Sequence, residues 1–283
     1  MSVLLQVSDP HFGTEQRAVV EALVELAREL APDIVVLSGD ITQRARAEQF
    51  ARAAAFVSRL GAPRVLAIPG NHDVPLFDLA TRILDPYRRY RRVFGDELEP
   101  CHRSPDWLVV GVKTTRRYRH VDGEISEPQR MRVAAELRRA APGQVRIVVT
   151  HQPVAVPRAS EAHNVVHGSA EAVRAWAEAG ADIILAGHIH LPFVLPLHES
   201  FERLPRALWA VNAGTAVSSR TRHDAGNSVN VLRTAPSTNG LPPACRVEHW
   251  GFEKTTAAFV RSGELALMTG PFSQGAPSNA RVK

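Results

Sequence analysis

"LAGHIH", residues 185–190, is an apolar run that stops at a glycine and then sets two histidines one residue apart. In an extended segment alternate side chains point the same way, so His188 and His190 would leave one face roughly 6–7 Å apart. Two neutral imidazoles on one face suit a metal ion. A surface pair just past a strand has the same spacing, so the surrounding sequence has to decide.

Working outward, apolar β-branched runs alternate with helix-period stretches, the pattern of an α/β fold. Val3–Val7, Ile34–Leu37, Val65–Ile68, Leu108–Val112, Val145–Val149 and Ile183–Ala186 read as strands. Between them, Val19, Leu23, Leu26 and Leu30 repeat at helical spacing behind Thr14 as a cap. Further helices are expected through Phe50, Ala54 and Val57, over an arginine-rich region from Leu76 to Phe94, and through Val173 and Trp176. Ser126 and Gln129 form a capping box for another. From about residue 192 the texture changes to short strands only, "FVLPL", "ALWAV", "VNVLR", "CRVEHW" and "AAFV". The expectation is one domain over 1–270, built as two packed mixed β-sheets flanked by helices, with 196–260 mostly β and completing the second sheet. Residues 234–243 read as a loop and 271–283 as a flexible tail.

Five of the strands run into polar residues: Asp9 and His11 after the first, Asp40 after the second, Asn71, His72 and Asp73 after the third, then His151, then His188 and His190. Open α/β sheets build sites outside the carboxyl ends of their strands, so these distant residues can converge on one crevice. Asp9, His11, Asp40, Asn71, His151, His188 and His190 make seven candidate ligands. Seven is too many for one tetrahedral ion. It suits two ions about 3.5–4 Å apart that share a carboxylate. Gly39, Gly70 and Gly187 each precede a ligand, where a tight turn or close backbone approach favours a residue without Cβ.

At this point the chain resembles the calcineurin-like metallophosphoesterases. "DPH" (9–11), "GD" (39–40), "GNHD" (70–73), "THQP" (150–153) and "GHIH" (187–190) match that family's five blocks in order. The resemblance implies a four-layer αββα sandwich and two divalent ions drawn from manganese, iron or zinc. By position, it implies that Asp9, His11 and His190 bind one ion and Asn71, His151 and His188 the other, with Asp40 bridging. His72 would act beside the substrate as the catalytic residue, oriented by Asp73, while a hydroxide bridging the metals attacks phosphorus in line.

Within the family, Gln43 stands where purple acid phosphatases carry a tyrosine ligand. Gln43 and Asp73 also depart from the Ser/Thr phosphatase pattern, although Arg44 matches its next residue. "GTAVSSRTRHDAGNSVN" (214–230) and the Asn71–His72–Asp73 run resemble the cyclic nucleotide phosphodiesterase and glycerophosphodiesterase branch. A small phosphodiester such as cAMP is therefore the expected substrate. A pyrophosphatase of the UDP-diacylglucosamine type, or another phosphomonoesterase or nuclease of the superfamily, is the alternative. Arg44, His163, His167, Arg220, Arg222 and Asn227 are candidate substrate contacts, three of them in the 214–230 segment and two in the loose stretch 152–168.

Composition sets limits around this reading. Two cysteines, Cys101 and Cys245, supply neither a disulfide framework nor a thiolate metal site. The formal charge of +5 is carried mostly by arginine, since lysine occurs only at 113, 254 and 283. These arginines are scattered over helix faces without a basic block, so nucleic-acid binding is not the expected function, and with no ligand of the resembled set missing neither is a scaffold role. No apolar run approaches the ~18–20 residues of a membrane span. The N-terminus passes straight into a strand without a basic leader, and the expectation is a cytoplasmic protein, with homo-oligomer formation left open.

Overall fold

The computed structural model describes residues 2–235 and 242–272. In chain order the first half contains β1 (Ser2–Val7), α1 (Arg17–Leu30), β2 (Ile34–Leu37), α2 (Ala47–Arg59), β3 (Val65–Ala67), α3 (Leu79–Leu84), α4 (Arg88–Phe94), β4 (Cys101–Arg103) and β5 (Trp107–Gly111). Then follow α5 (Glu127–Arg138), β6 (Val145–Val149), α6 (Ser169–Ala179), β7 (Ile183–Ala186), β8 (Phe193–Pro196), α7 (Leu197–Ser200), β9 (Trp209–Asn212), β10 (Ser228–Ala235), β11 (Ala244–Glu253) and β12 (Ala258–Leu267). Most of the expected loop at 234–243, and residues 273–283 of the expected tail, lie outside the described residues.

Two six-stranded mixed sheets result, ordered β12-β11-β10-β1-β2-β3 and β4-β5-β6-β7-β9-β8. Strands β1 to β3 are parallel, as are β5, β6, β7 and β9, so their carboxyl ends emerge on one side of each sheet. Period-two alternation divides the apolar residues between layers. Leu4, Ile34 and Val36 face Val109, Ile147 and Ile183 of the other sheet. Their neighbours Leu5, Val35 and Leu37 pack with Leu23 of α1 and Phe50 of α2. On the far side Leu108, Val148 and Ile184 meet Val133 of α5 and Trp176 of α6. Helices therefore cover the outer face of each sheet, which gives the four-layer αββα sandwich.

The late strands depart from the sequence reading. Only β8 and β9 join the second sheet; β10, β11 and β12 extend the first, because β10 pairs antiparallel with β1 from Ser2↔Thr234 to Gln6↔Asn230. Asn230 hydrogen-bonds Gln6 across that pair, Nδ2 to Oε1 at 2.9 Å. Helical detail differs too. The arginine-rich region is two short helices, broken where Pro86 cannot continue the first. Helix α1 starts behind Gln16, and the Thr14 hydroxyl is instead bonded to the His11 carbonyl and Ser218. The Ser126–Gln129 capping box is present on α5. Among the described residues no helix is long and apolar enough to cross a membrane.

Candidate metal centre

Asp9 and His11 follow β1, Asp40 follows β2, and Asn71 opens a single 3-10 turn after β3. His151 follows β6, and His188 and His190 follow β7. The first four residues belong to one sheet and the last three to the other, so the crevice is made where the two sheets' strand ends face each other.

These residues are not held as extended strand continuations. Asp9, His11, Asp40, His188 and His190 all have positive φ, at 49°, 43°, 49°, 70° and 54°. The alternating-face picture of His188 and His190 is thereby corrected: β7 ends at Ala186, and each histidine is aimed by its own left-handed residue. The close packing depends on glycine. A Cβ on Gly187 would lie 1.9 Å from Ser8 Oγ and 2.3 Å from Asp9 Oδ2, and one on Gly39 would lie 2.4 Å from His151 Nδ1.

Three groups of side-chain donors have all their ligand atoms within 4.8 Å of one another: Asp9, His11 and His190; His11, Asp40 and His72; Asp40, His151 and His188. His190 Nε2 is 3.0 Å from His11 Nε2 and 3.3 Å from Asp9 Oδ1. Asp40 stands between the two sides, its Oδ2 3.7 Å from His11 Nε2 and its Oδ1 3.3 Å from His151 Nε2. Asn71 Oδ1 is 3.1 Å from the same His151 nitrogen. Backbone carbonyls fix two of the imidazoles: Nδ1–H of His151 donates to Ser38 at 2.9 Å, and Nδ1–H of His190 donates to Arg220 at 2.7 Å. That leaves Nε2 of each free to ligate.

Charge and burial fit a cation. His188 Nδ1 is buried with no hydrogen-bond partner among the described residues, an unusual state for a polar atom unless an ion satisfies it. Burial holds the imidazole of His11 down to a pKa of about 3, and burial with the neighbouring His151 holds His188 at about 4. Both are therefore neutral donors at neutral pH. For Asp9 burial opposes ionisation, but the hydrogen bond and charge of His190 outweigh it and bring the carboxyl to about 2. Burial also disfavours protonated His151, yet the adjacent Asp40 carboxylate overcomes this and raises it to about 9. An all-nitrogen-and-oxygen set of this kind fits divalent manganese, iron or zinc.

A cavity of about 290 Å³ is lined by His72, Val121, Asn164, Ile189 and Arg220 together with the candidate ligands His11, Asp40, Asn71, His188 and His190. Nδ1–H of His72 donates to the Gln43 carbonyl at 2.9 Å, and its Nε2 faces Arg220 Nη1 at 3.3 Å. Asp73 does not orient that ring. Its buried carboxylate accepts from the N–H groups of Gly70, Ile41 and Thr42 at 2.9, 3.0 and 2.8 Å, locking the Asn71 turn to the Asp40 loop.

The remaining candidate contacts divide. Arg220 lines the cavity; Arg44 is exposed over the Phe77 ring at 5.6 Å. Arg222 is ion-paired with Glu161 and Asp224, both at 2.9 Å, and donates to the Ile189 carbonyl at 3.3 Å. Asn227 is buried and bonded to Gln16 and to the Ser218 carbonyl, so it closes the 214–230 loop from within. His163 is exposed and does not line the cavity, while Asn164 does; His167 is exposed beside Arg119. Sequence reading missed Gln43, Ser38 and the Arg220 carbonyl as orienting groups because backbone oxygens carry no side-chain pattern.

Comparison with known proteins agrees with this architecture. A family model for calcineurin-like phosphoesterases matches residues 2–192. Purple acid phosphatase PPD1 from yellow lupin (Lupinus luteus) seeds superposes with a TM-score of 0.70 at 12% identity, covering 100% of this chain and 57% of that one. The chain thus spans little more than half the length of that relative. A dimetal phosphatase from Danio rerio gives a TM-score of 0.62 at 13% identity, with 95% and 99% of the two chains covered. Vacuolar protein sorting 29 from Cryptosporidium parvum gives 0.50 at 13%, covering 95% and 98%. At these identities the likeness is one of fold. No curated protein matches the sequence. Its five ordered motif blocks meet in a crevice between two sheets, and the chain belongs to the calcineurin-like phosphoesterase family, whose members use two divalent metal ions.

Proposed function

We propose that the chain is a two-metal phosphodiesterase acting on small phosphodiesters, either a 3′,5′-cyclic nucleotide such as cAMP or a glycerophosphodiester. The observation that carries this reading is charge: among the described residues lining the cavity, Arg220 is the one guanidinium, and no lysine accompanies it. A diester carries one negative charge and a monoester close to two, so a single arginine suits the diester. Arg222, which would supply the second, is neutralised by Glu161 and Asp224.

In this reading Asp9, His11 and His190 hold one ion and Asn71, His151 and His188 the other, with Asp40 shared. When bound, the ions offset charge on the phosphoryl oxygens and lower the pKa of water. Arg220 Nη1 and His72 Nε2 stand side by side at 3.3 Å, so an ester oxygen reaching that wall of the cavity meets a guanidinium and an imidazole together. With Nδ1–H donated to Gln43, His72 can serve as acid at Nε2 only in its imidazolium form, whose second proton passes to the leaving oxygen as the P–O bond breaks. Asp73 contributes indirectly, by holding the backbone of both loops that carry Asp40 and Asn71.

The test is a panel on metal-reconstituted protein: bis-p-nitrophenyl phosphate, p-nitrophenyl phosphate, cAMP, glycerophosphodiesters and UDP-diacylglucosamine. Faster turnover of diesters than of p-nitrophenyl phosphate is expected. Strong monoesterase activity without diesterase activity overturns the reading.

A further inference from the structure

Five large apolar side chains crowd one exposed region. Phe77 is 80% exposed, Leu79 63%, Ile83 62%, Leu84 83% and Tyr118 68%. Helix α3 has no buried residue at all, so its aliphatic side chains Leu79, Ile83 and Leu84 stay largely exposed. A helix this short gains little from its own hydrogen bonds, and so much exposed apolar surface marks a place that something covers.

The region is held together and runs into the metal crevice. Arg82 donates to the Arg119 carbonyl at 2.8 Å and to the Pro75 carbonyl at 3.1 Å, and Arg117 donates to the Ile83 carbonyl at 3.1 Å. These bonds tie α3 to the 117–121 segment. Val121, at the end of that segment, is half-exposed and also lines the cavity with His72 and Arg220. Its edge is cationic: Arg44, Arg82 and Arg117 have no carboxylate partner among the described residues. An apolar strip bordered by unpaired arginines and opening onto a phosphate-binding crevice is complementary to one kind of molecule, an anion that carries a hydrocarbon chain.

We infer that this strip holds the apolar tail of an amphiphilic phosphodiester whose phosphate lies at the metal centre. The inference rests on the diesterase reading above and narrows it to diesters bearing an acyl or alkyl chain. The tail leaves the crevice past Val121 and covers α3, while Arg44 and Arg82, which lie outside the cavity, draw the anion toward its mouth without contacting the phosphate.

The test uses metal-loaded protein and methyl, butyl and octyl p-nitrophenyl phosphate below their micelle concentrations. A part-buried tail should raise kcat/KM roughly twofold per methylene, about 100-fold from methyl to octyl, mainly through KM. The double variant Phe77→Ser/Leu84→Ser should flatten the series to within about tenfold, with the methyl ester hydrolysed as by wild type. A flat series in wild type with the methyl ester still hydrolysed overturns this inference and leaves the diesterase reading standing. If no ester of the series is hydrolysed, the diesterase reading fails by itself, and calorimetry decides the tail site. Octyl phosphate should bind at least about tenfold tighter than ethyl phosphate to wild type but not to the double variant. Equal affinities overturn the site. So does an unchanged chain-length series in a variant that loses only vesicle adsorption or self-association, since the strip would then face a membrane or a second copy.

Discussion

Five of the nine non-glycine residues with positive φ among the described residues are candidate metal ligands. Each such conformation costs on the order of 1–3 kcal/mol and persists where the surroundings over-determine it. Here the surroundings are identifiable. The Asp9 carboxylate accepts from His188 N–H at 2.9 Å and Ser8 Oγ–H at 2.6 Å, and Asp40 accepts from His72 N–H at 2.8 Å. Which residues converge on the crevice was legible in the sequence because aspartate, asparagine and histidine at strand ends are chemically distinctive. Their conformation was not, since nothing in "HIH" distinguishes an extended run from two left-handed residues. The role first given to Asp73 failed for a related reason: the acceptor that orients His72 is the Gln43 carbonyl.

Single residues of the centre should show two effects. His72→Ala should lower kcat for a diester by about 10²–10⁴-fold while metal content stays unchanged; wild-type turnover in that variant would remove His72 from the reaction. The second concerns protons. In the metal-free protein His151 is raised from 6.5 to about 9 by Asp40, so this pairing stabilises the fold fully below pH 6.5 and is lost as pH rises through about 9. A metal ion must displace that proton. Calorimetric titration at pH 7.5 in buffers of differing ionisation enthalpy should therefore report proton release on binding, and the release should fall away above pH 9. Buffer-independent heats would contradict the pairing.

At the scale of elements, strands β2, β6 and β7 coincide with the runs expected from sequence, because each is a short run rich in Ile and Val that stops at a polar residue or a glycine. Strand β4 was missed: "CHR" has no apolar alternation, and it forms only as an edge partner of β5. The sheet that takes β10 to β12 was misjudged because periodicity shows which face of a strand is apolar but not which neighbour it pairs with. Apart from Arg220, the candidate contacts in the 214–230 segment serve as supports. Arg222 joins Glu161, Asp224 and the carbonyl of Ile189, which lies between the two histidines after β7. Arg222→Ala should weaken metal binding by about 10–100-fold, the usual effect of removing a group that orients ligands. Arg222→Lys should not restore it, since an ammonium cannot span three acceptors as the guanidinium fork does. Metal titration followed by calorimetry measures both, and wild-type affinity in either variant would make the clasp irrelevant to the centre.

For the whole molecule, the centre joins the two sheets, with Asp9, His11, Asp40 and Asn71 supplied by one and His151, His188 and His190 by the other. Bound ions are therefore expected to act as a clip between layers. At a thousandfold excess over Kd each ion adds about 4 kcal/mol to stability. In a chain of this size that corresponds to roughly 8–16 °C in Tm. Chelation should lower Tm by at least that amount, and readdition of manganese or zinc should restore it; an unchanged Tm would mean the ions do not bridge the sheets.

The two-ion arrangement itself is open to anomalous diffraction on metal-loaded crystals of wild type, His188→Ala and His190→Ala. Wild type should show two ions flanking Asp40. His190→Ala should lose the ion beside Asp9 and His11, and His188→Ala the ion beside Asn71 and His151, each keeping the other. A single ion in wild type, or both ions intact in either variant, would contradict a centre in which these two histidines serve different metals.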